Sequence, residues 1–230
     1  MTLPTVRRAL RRIRNRLGFL SNGSPAAPGA GRELPVAWYD QEYVGCEAYE
    51  GPYQASRYYF LWLLIADRIR RDGIRRVLDI GCGAGQLAAL LRDQGIEDYV
   101  GLDFSKMAVD MARRQLPDGR FVIGDARTTG LYDELDYEVV ICTEVLEHIE
   151  DDLVVVARFK PGVRCICTVP NFPYVSHVRH FRDAAEVAER YRDYFRDLDV
   201  MTIAGSGSAT VQYFLFDGIR NDFHHSPASP

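Results

Sequence analysis

The stretch Arg76-Val77-Leu78-Asp79-Ile80-Gly81-Cys82-Gly83-Ala84-Gly85 decides the fold. Val77 to Ile80 form a short apolar run, broken by one acid and stopped by glycine, which predicts a buried strand. Gly81, Gly83 and Gly85 then lead into a helix expected from Ala84. Glycines in such a loop let the backbone approach a ligand with no Cβ in the way, and the unpaired N–H groups of a helix start face something anionic or polar.

Outward from this unit the chain keeps alternating. Upstream, Tyr58, Leu61, Trp62, Ile65 and Ile69 fall at helical spacing between Ala55 and Arg71, and Asp72-Gly73 ends the pattern. Downstream come a strand at 99–102, a helix from Ser105, strands at 121–123 and 137–142, a helix from Glu144, a strand at 163–169 and a helix over 183–196. Strands at 198–203 and 210–216 close the series, and the Gly/Ser connection between them is short enough only for an antiparallel hairpin. Strands that are apolar throughout, alternating with helices, argue for a parallel sheet covered on both faces. The expected fold class is α/β: a seven-stranded, doubly wound, mostly parallel sheet with an antiparallel last strand, Rossmann-like in plan.

The composition, 47% hydrophobic and 26% charged over 230 residues, is that of an ordinary globular protein of one large domain with appendages. No run approaches the ~18 apolar residues of a membrane span. Cys46, Cys82, Cys142, Cys165 and Cys167 have no zinc-like spacing and read as reduced thiols of a cytoplasmic protein. The N-terminus lacks the apolar core of a secretory signal.

The net charge of −4 is unevenly spread: the first twenty residues hold six arginines and no acid, leaving −10 on the other 210. Val6, Leu10, Ile13, Leu17 and Leu20 recur at steps of four and three, so residues 1–20 read as a basic amphipathic helix. Its expected target is an anionic membrane surface or nucleic acid, or else a protein partner, giving a peripheral membrane location in the first case; the third reading is a solvated extension of no catalytic importance. A Gly/Pro/Ser-rich flexible linker spans 21–33, the globule 34–220, and a loose tail 221–230.

Asp103 ends the second expected strand, in Gly101-Leu102-Asp103-Phe104-Ser105, at the place where a ribose diol would be held. To this point a dinucleotide and S-adenosylmethionine are both allowed. Three details separate them: the glycine spacing is G-x-G-x-G, Asp79 lies two residues ahead of the first glycine, and another acid follows the third strand in Gly124-Asp125-Ala126. Together these suit a ligand with an adenine amino group, a ribose and an ammonium-carboxylate tail.

On these motifs, and on Val140-Ile141-Cys142-Thr143-Glu144-Val145-Leu146-Glu147-His148, the sequence from about Tyr39 to Arg220 resembles the class I S-adenosylmethionine-dependent methyltransferases. Within them it is most similar to the O-methyltransferases of ubiquinone biosynthesis and their relatives. The resemblance implies that Gly81, Gly83 and Gly85 contact the methionine moiety and that Asp103 grips both ribose hydroxyls. It places Asp125 and Ala126 by the adenine and adds Asp79, Phe104 and Thr143 as cofactor contacts. Arg57, on the preceding helix, would hold the cofactor carboxylate. The terminal hairpin also fits, because the family's seventh strand inserts antiparallel beside the fifth.

Methyl transfer is an in-line displacement from a sulfonium, so the acceptor must be oriented and, if it is a hydroxyl, deprotonated. Glu144, Glu147 and His148 are expected at i, i+3 and i+4 of a starting helix, on one face beside the carboxyl edge of the sheet. His148 is the best base by type, with an unperturbed pKa near 6.5. The same trio reads as half a metal site: Glu-x-x-Glu-His resembles the metal-binding motif of the small-RNA 2′-O-methyltransferases, and two carboxylates with an imidazole suit Mg²⁺ or Mn²⁺. His177 or His180 would supply a further ligand or face the acceptor. A purely structural trio is the third reading, with Glu147 capping the helix and His148 a hydrogen-bonded wall residue. Trp38, Tyr39, Tyr43, Tyr49 and Tyr53 would form an aromatic lid or simply pack.

The expected function is S-adenosylmethionine-dependent methyl transfer to an oxygen of a small-molecule acceptor. A metal-assisted RNA 2′-O-methyltransferase is the first alternative, but it needs a basic channel and the globule is acidic. A non-catalytic S-adenosylmethionine-binding or partner protein is the second; it would have lost the ligand-gripping acids, and Asp79, Asp103 and Asp125 are all present.

Overall fold

The computed structural model describes residues 31–205 and 210–222. The basic segment 1–20, most of the linker and the tail beyond 222 lie outside the described residues. Two short helices, α1 (Val36–Tyr43) and α2 (Glu47–Glu50), precede a longer one, α3 (Tyr59–Arg71). Leu61, Trp62, Ile65, Ala66 and Ile69 form the buried stripe of α3, and Gly73, at φ +69°, ends it. Each wholly buried isoleucine on that stripe contributes about 1.5–3 kcal/mol.

The alternating series follows: β1 (Arg76–Ile80), α4 (Gln86–Asp93), β2 (Asp98–Asp103), α5 (Lys106–Gln115), β3 (Arg120–Ile123), α6 (Leu131–Glu134), β4 (Val139–Thr143), α7 (Asp152–Arg158) and β5 (Arg164–Pro170). Then come α8 (Ala184–Tyr191), β6 (Phe195–Ala204) and β7 (Gln212–Arg220). The seven strands lie in the order β3-β2-β1-β4-β5-β7-β6. β1 to β5 are parallel, β7 runs antiparallel beside β5, and β6 pairs antiparallel with β7. The expected fold class is therefore the observed one.

Alternate strand residues feed two cores. Val77, Ile141, Ile166 and Leu215 meet α3, α4 and α5 on one face, while Leu78, Val140, Cys165 and Phe214 meet α6, α7 and α8 on the other. The strand order reverses between β1 and β4, and in such sheets the crevice at the carboxyl end of that reversal receives the ligand.

Several expected boundaries shift. The helix placed over 183–196 stops at Tyr191, a 3₁₀ turn spans Arg192–Tyr194, and the strand begins at Phe195 because that ring is buried against Phe216. The helix expected from Glu144 does not form: a single 3₁₀ turn, Leu146–His148, stands there, and α7 starts at Asp152. Glu144 sits at φ +56°, with its N–H donating to the carbonyl and hydroxyl oxygens of Thr168, so the chain turns sideways off β4. The end of the expected linker is also held: the Gly31 N–H donates to the His177 carbonyl, and Glu33 bonds to Glu150 and Arg127. Asn221, assigned to the tail, donates its N–H to the Tyr194 carbonyl.

Candidate active site

The glycine loop leaves β1 in left-handed conformations, with Gly81 at φ +76° and Gly85 at φ +80°. A Cβ on Gly81 would stand 2.2 Å from Cγ2 of Val145, so only hydrogen fits between the loop and the turn after β4. The loop is tied to β2 at both levels: the Gly81 and Cys82 N–H groups donate to the Leu102 carbonyl, and the Gly83 N–H donates to Oδ2 of Asp103 at 2.9 Å. The other Asp103 oxygen accepts the Ser105 N–H at 2.9 Å. Burial pushes the Asp103 carboxyl up to about 6, against the pull of those N–H groups. Asp79 lies beneath the loop, accepting the Tyr99 hydroxyl at 2.6 Å, and burial raises it to about 7.

Helix α1 covers this edge. Asp40 accepts the Ser105 hydroxyl and the Met107 N–H at the start of α5. Tyr39 sets its ring edge-on to Phe104, centroids 5.0 Å apart, and to His148 at 5.7 Å. One aromatic thus touches both the residue after the ribose-binding acid and the candidate base. Beyond β3, Asp125 is gripped by the Arg127 guanidinium, which holds the carboxyl below its usual range, and Arg127 reaches on to Glu33. The Ala126 carbonyl accepts the Tyr132 hydroxyl. Arg57, expected on the preceding helix, stands instead in the turn before α3, which starts only at Tyr59; it donates to the Tyr58 hydroxyl, and Thr143 ends β4 in register with Thr168.

The candidate catalytic trio is rearranged. Glu144 turns toward β5, where its carboxylate accepts the Thr168 hydroxyl at 2.9 Å; burial raises it to about 7. It leaves the metal-compatible group, and His177 takes its place: donor atoms of Glu147, His148 and His177 lie within 4.8 Å of one another. His180 is exposed and stands outside the group. The two imidazoles meet edge to face, centroids 4.9 Å apart. Nδ1 of His148 bonds the Ser176 carbonyl and Nδ1 of His177 the Phe172 carbonyl, each at 2.9 Å. A carbonyl only accepts, so both Nδ1 atoms carry the proton and both Nε2 atoms keep a free lone pair.

The Glu147 carboxylate has no solvent exposure, and neither of its oxygens has a hydrogen-bond partner. Oε1 stands 3.6 Å from Nε2 of His148. Burial drives the Glu147 carboxyl well above its usual range and lowers His148 to about 4 and His177 to about 3. Both imidazoles are therefore uncharged at neutral pH. The buried Tyr39 hydroxyl faces the Ser176 side chain close by. A buried carboxylate with both oxygens unpartnered, beside two imidazoles, suits a polar or cationic guest.

One residue at this edge has no signal in the sequence, and another, Arg179, is placed by it only in the loop after the fifth strand. Arg127 had no motif to mark it, although it follows Asp125 by two positions. Arg179, in the stretch that also holds His177 and His180, donates to the carbonyls of Leu146, Ile149 and Glu150.

Comparison with known proteins identifies the family and the fold. A family model described as a methyltransferase domain matches residues 5–213. The ubiquinone biosynthesis O-methyltransferase of Aliivibrio fischeri strain MJ11 is 40% identical over 96 aligned positions, covering 38% of this chain and 41% of that protein. The enzyme of the same name from Rickettsia bellii strain OSU 85-389 is 33% identical over 100 positions, covering 40% and 41%. The match thus spans about two fifths of the length of these curated relatives. Among solved structures, magnesium protoporphyrin IX methyltransferase from Synechocystis PCC 6803, with bound SAM, superposes with a TM-score of 0.55 at 18% identity, covering 93% of this chain and 96% of that one. The methyltransferase domain of bacterial CtHen1 gives a TM-score of 0.56 at 16% identity, covering 70% and 96%. With the glycine loop, the acids at successive strand ends and the β3-β2-β1-β4-β5-β7-β6 sheet, these matches lead to one conclusion: the chain belongs to the methyltransferase-domain family that uses S-adenosylmethionine.

Proposed function

We propose that this chain transfers the methyl group of S-adenosylmethionine to a hydroxyl oxygen of a small-molecule acceptor, and that Glu147, His148 and His177 hold a divalent cation beside that hydroxyl. The observation that carries the cation is the Glu147 carboxylate, wholly buried with both oxygens unpartnered and facing two imidazoles whose other nitrogens are fixed by backbone carbonyls. Burying an ionised carboxylate costs several kcal/mol, which a cation would offset. Backbone-bonded imidazoles are how metal-ligating histidines are held. With two nitrogen donors the set suits Mn²⁺ better than Mg²⁺, which prefers oxygen.

The roles of the side chains follow from their positions. Asp103 accepts the ribose hydroxyls, Phe104 and Ala126 flank the adenine, and Asp125 accepts its amino group while Arg127 keeps that acid ionised. Asp79, with Gly81, Gly83 and Gly85, shapes the loop around the methionine moiety, and Thr143 lies beside it. Arg57 draws in the carboxylate tail. A cation at Glu147, His148 and His177 would supply Lewis acidity to the acceptor hydroxyl. Tyr39 excludes water from above.

A metal-free reading has His148 alone as the base, supported by the free lone pair on Nε2. Its basicity, lowered to about 4 by burial, makes it a poor partner for a hydroxyl proton and favours the cation. The test is release of S-adenosylhomocysteine in the presence of a panel of phenols and catechols. Turnover that stops with EDTA and returns with Mn²⁺ supports the cation; turnover indifferent to EDTA leaves His148 as the base.

We place the protein in the cytoplasm. The six arginines of residues 1–20 suit an anionic membrane surface, which co-sedimentation with anionic vesicles tests. Among the described residues, no helix is long and apolar enough to cross a membrane.

A further inference from the structure

The cluster is assembled from two segments that belong to different strands. Glu147 and His148 lie in the turn after β4, and His177 lies in the segment after β5. The first segment has a single 3₁₀ turn and the second has no helix or strand, and the Glu147 carboxylate is held wholly buried. Something must keep the two segments in register.

Arg179 spans them. Its Nη1 donates to the carbonyls of Leu146 and Ile149 at 2.5 Å each, and its Nη2 to the carbonyl of Glu150 at 2.7 Å. The backbone N–H groups of Val178 and Arg179 donate to the carbonyl between, that of Glu147, at 2.8 and 3.4 Å. Four of the five carbonyls from Leu146 to Glu150 are thus held by two consecutive residues of the other segment, and His177 is the next residue back. The guanidinium charge is met at 3.4 Å by Asp152 at the start of α7. That carboxylate is wholly buried and is itself fixed by Arg190 at 2.5 and 2.8 Å and by the Tyr191 hydroxyl at 2.8 Å, both from α8.

We propose that Arg179 is a positioning residue: it clamps the turn 146–150 to the segment carrying His177 and so sets the spacing of the Glu147, His148 and His177 side chains. The planar guanidinium suits this task, since its fork of donors reaches three carbonyls at once, whereas an ammonium is a point charge on a flexible stem. Turn carbonyls left without donors would turn to water and carry Glu147 outward with them. The clamp itself stands on contacts within the chain; only its effect on metal affinity rests on the cation proposed above.

The test compares the full chain with Arg179→Met and Arg179→Lys by three measurements: amide hydrogen exchange, Mn²⁺ affinity by electron paramagnetic resonance of the free ion, and S-adenosylhomocysteine affinity by calorimetry. Arg179→Met is expected to speed exchange at 146–150 at least about tenfold and to weaken Mn²⁺ binding about 10–100-fold, the range for residues that orient ligands. S-adenosylhomocysteine affinity should stay within about twofold, because the glycine loop and Asp103 are untouched; Arg179→Lys should recover only part of the loss. Wild-type exchange over 146–150 in Arg179→Met overturns the proposal. So does a uniform rise in exchange with a parallel loss of S-adenosylhomocysteine affinity, which marks a residue of general stability; if Arg179→Met does not fold, Arg179→Lys is read by the same criteria. If the unmodified chain binds no Mn²⁺, the cation reading fails by itself and the exchange comparison alone decides the clamp.

Discussion

Replacing Asp103 with alanine separates the ligand's contribution from the fold's. In the free protein the Asp103 carboxylate holds the Gly83 and Ser105 N–H groups at 2.9 Å each. Stranding those donors costs about 1–3 kcal/mol apiece where water is excluded, and less where it enters the empty crevice. The same substitution removes a buried charge. Raising that carboxyl from 3.8 to about 6 corresponds to roughly 3 kcal/mol against its ionised form at neutral pH. The two effects oppose each other at similar size, so the melting temperature should move by only a few degrees. Cofactor binding has no such compensation. Two hydrogen bonds from the ribose diol to a charged acceptor contribute about 1.5–3 kcal/mol each, so S-adenosylhomocysteine affinity should fall by roughly two to four orders of magnitude.

The pH dependence carries its own sign. The native carboxyl keeps its proton up to about 6 while the unfolded one loses it near 3.8, so ionised Asp103 opposes folding increasingly as pH rises through that window. Ligand affinity runs the other way, since the ionised form accepts both hydroxyls: it should rise from pH 5 to 7 with a midpoint near 6 and lose that slope in Asp103→Ala. Calorimetric titration across pH, paired with thermal melts, measures both. An Asp103→Ala protein that binds S-adenosylhomocysteine within about threefold of the parent would refute the assignment.

Other substitutions give further outcomes. Glu147→Gln removes a buried, unpartnered carboxylate, so the melting temperature should hold or rise while Mn²⁺ affinity falls at least about a hundredfold; a stability loss with unchanged metal affinity would show a purely structural glutamate. His148→Ala should lower turnover at least about a hundredfold, and a near-normal rate would return it to a wall residue. Gly81→Ala should destabilise by about 2–4 kcal/mol, combining the left-handed backbone with the clash on Val145, and adding Val145→Ala should recover the clash but not the backbone part; full recovery in denaturant melts would contradict that division. Deleting residues 1–30 should leave S-adenosylhomocysteine affinity within about twofold and abolish binding to anionic vesicles, both read by calorimetry and co-sedimentation.

The parts of this protein that the sequence announced are those in which burial and backbone need coincide. Val77 to Ile80 is apolar because β1 is covered on both faces, and Gly81 is glycine because Val145 leaves space for nothing else. Asp103 and Asp125 stand at strand ends, where a single acid after an apolar run is conspicuous. The turn after β4 departs from the expected helix for a physical reason: the left-handed Glu144 sends the chain sideways before any helix can start. Glu144 was thereby credited to a cluster that it leaves, and His177 could be chosen over His180 only once the β5 segment had been placed against the turn. Helix α1 buries none of its residues completely, so no periodic stripe marked it. Its anchors, Asp40 on Ser105 and Tyr39 between Phe104 and His148, are contacts between segments distant in sequence, as are those of Arg127 and Arg179. Such contacts have no signature in a single chain, because any exposed-looking Asp, Tyr or Arg would read the same.

The account turns on a donor and a cation meeting at one edge of the sheet. A crystal grown with S-adenosylhomocysteine and Mn²⁺, with diffraction recorded at a wavelength where manganese scatters anomalously, tests this most directly. The account predicts one anomalous peak within bonding distance of a Glu147 oxygen and of Nε2 of both His148 and His177, with the ribose of the ligand on Asp103 and its sulfur facing the metal across the acceptor space. A ligand bound on Asp103 with no metal peak at that cluster would remove the cation; a ligand absent from Asp103 and the glycine loop would contradict the account as a whole.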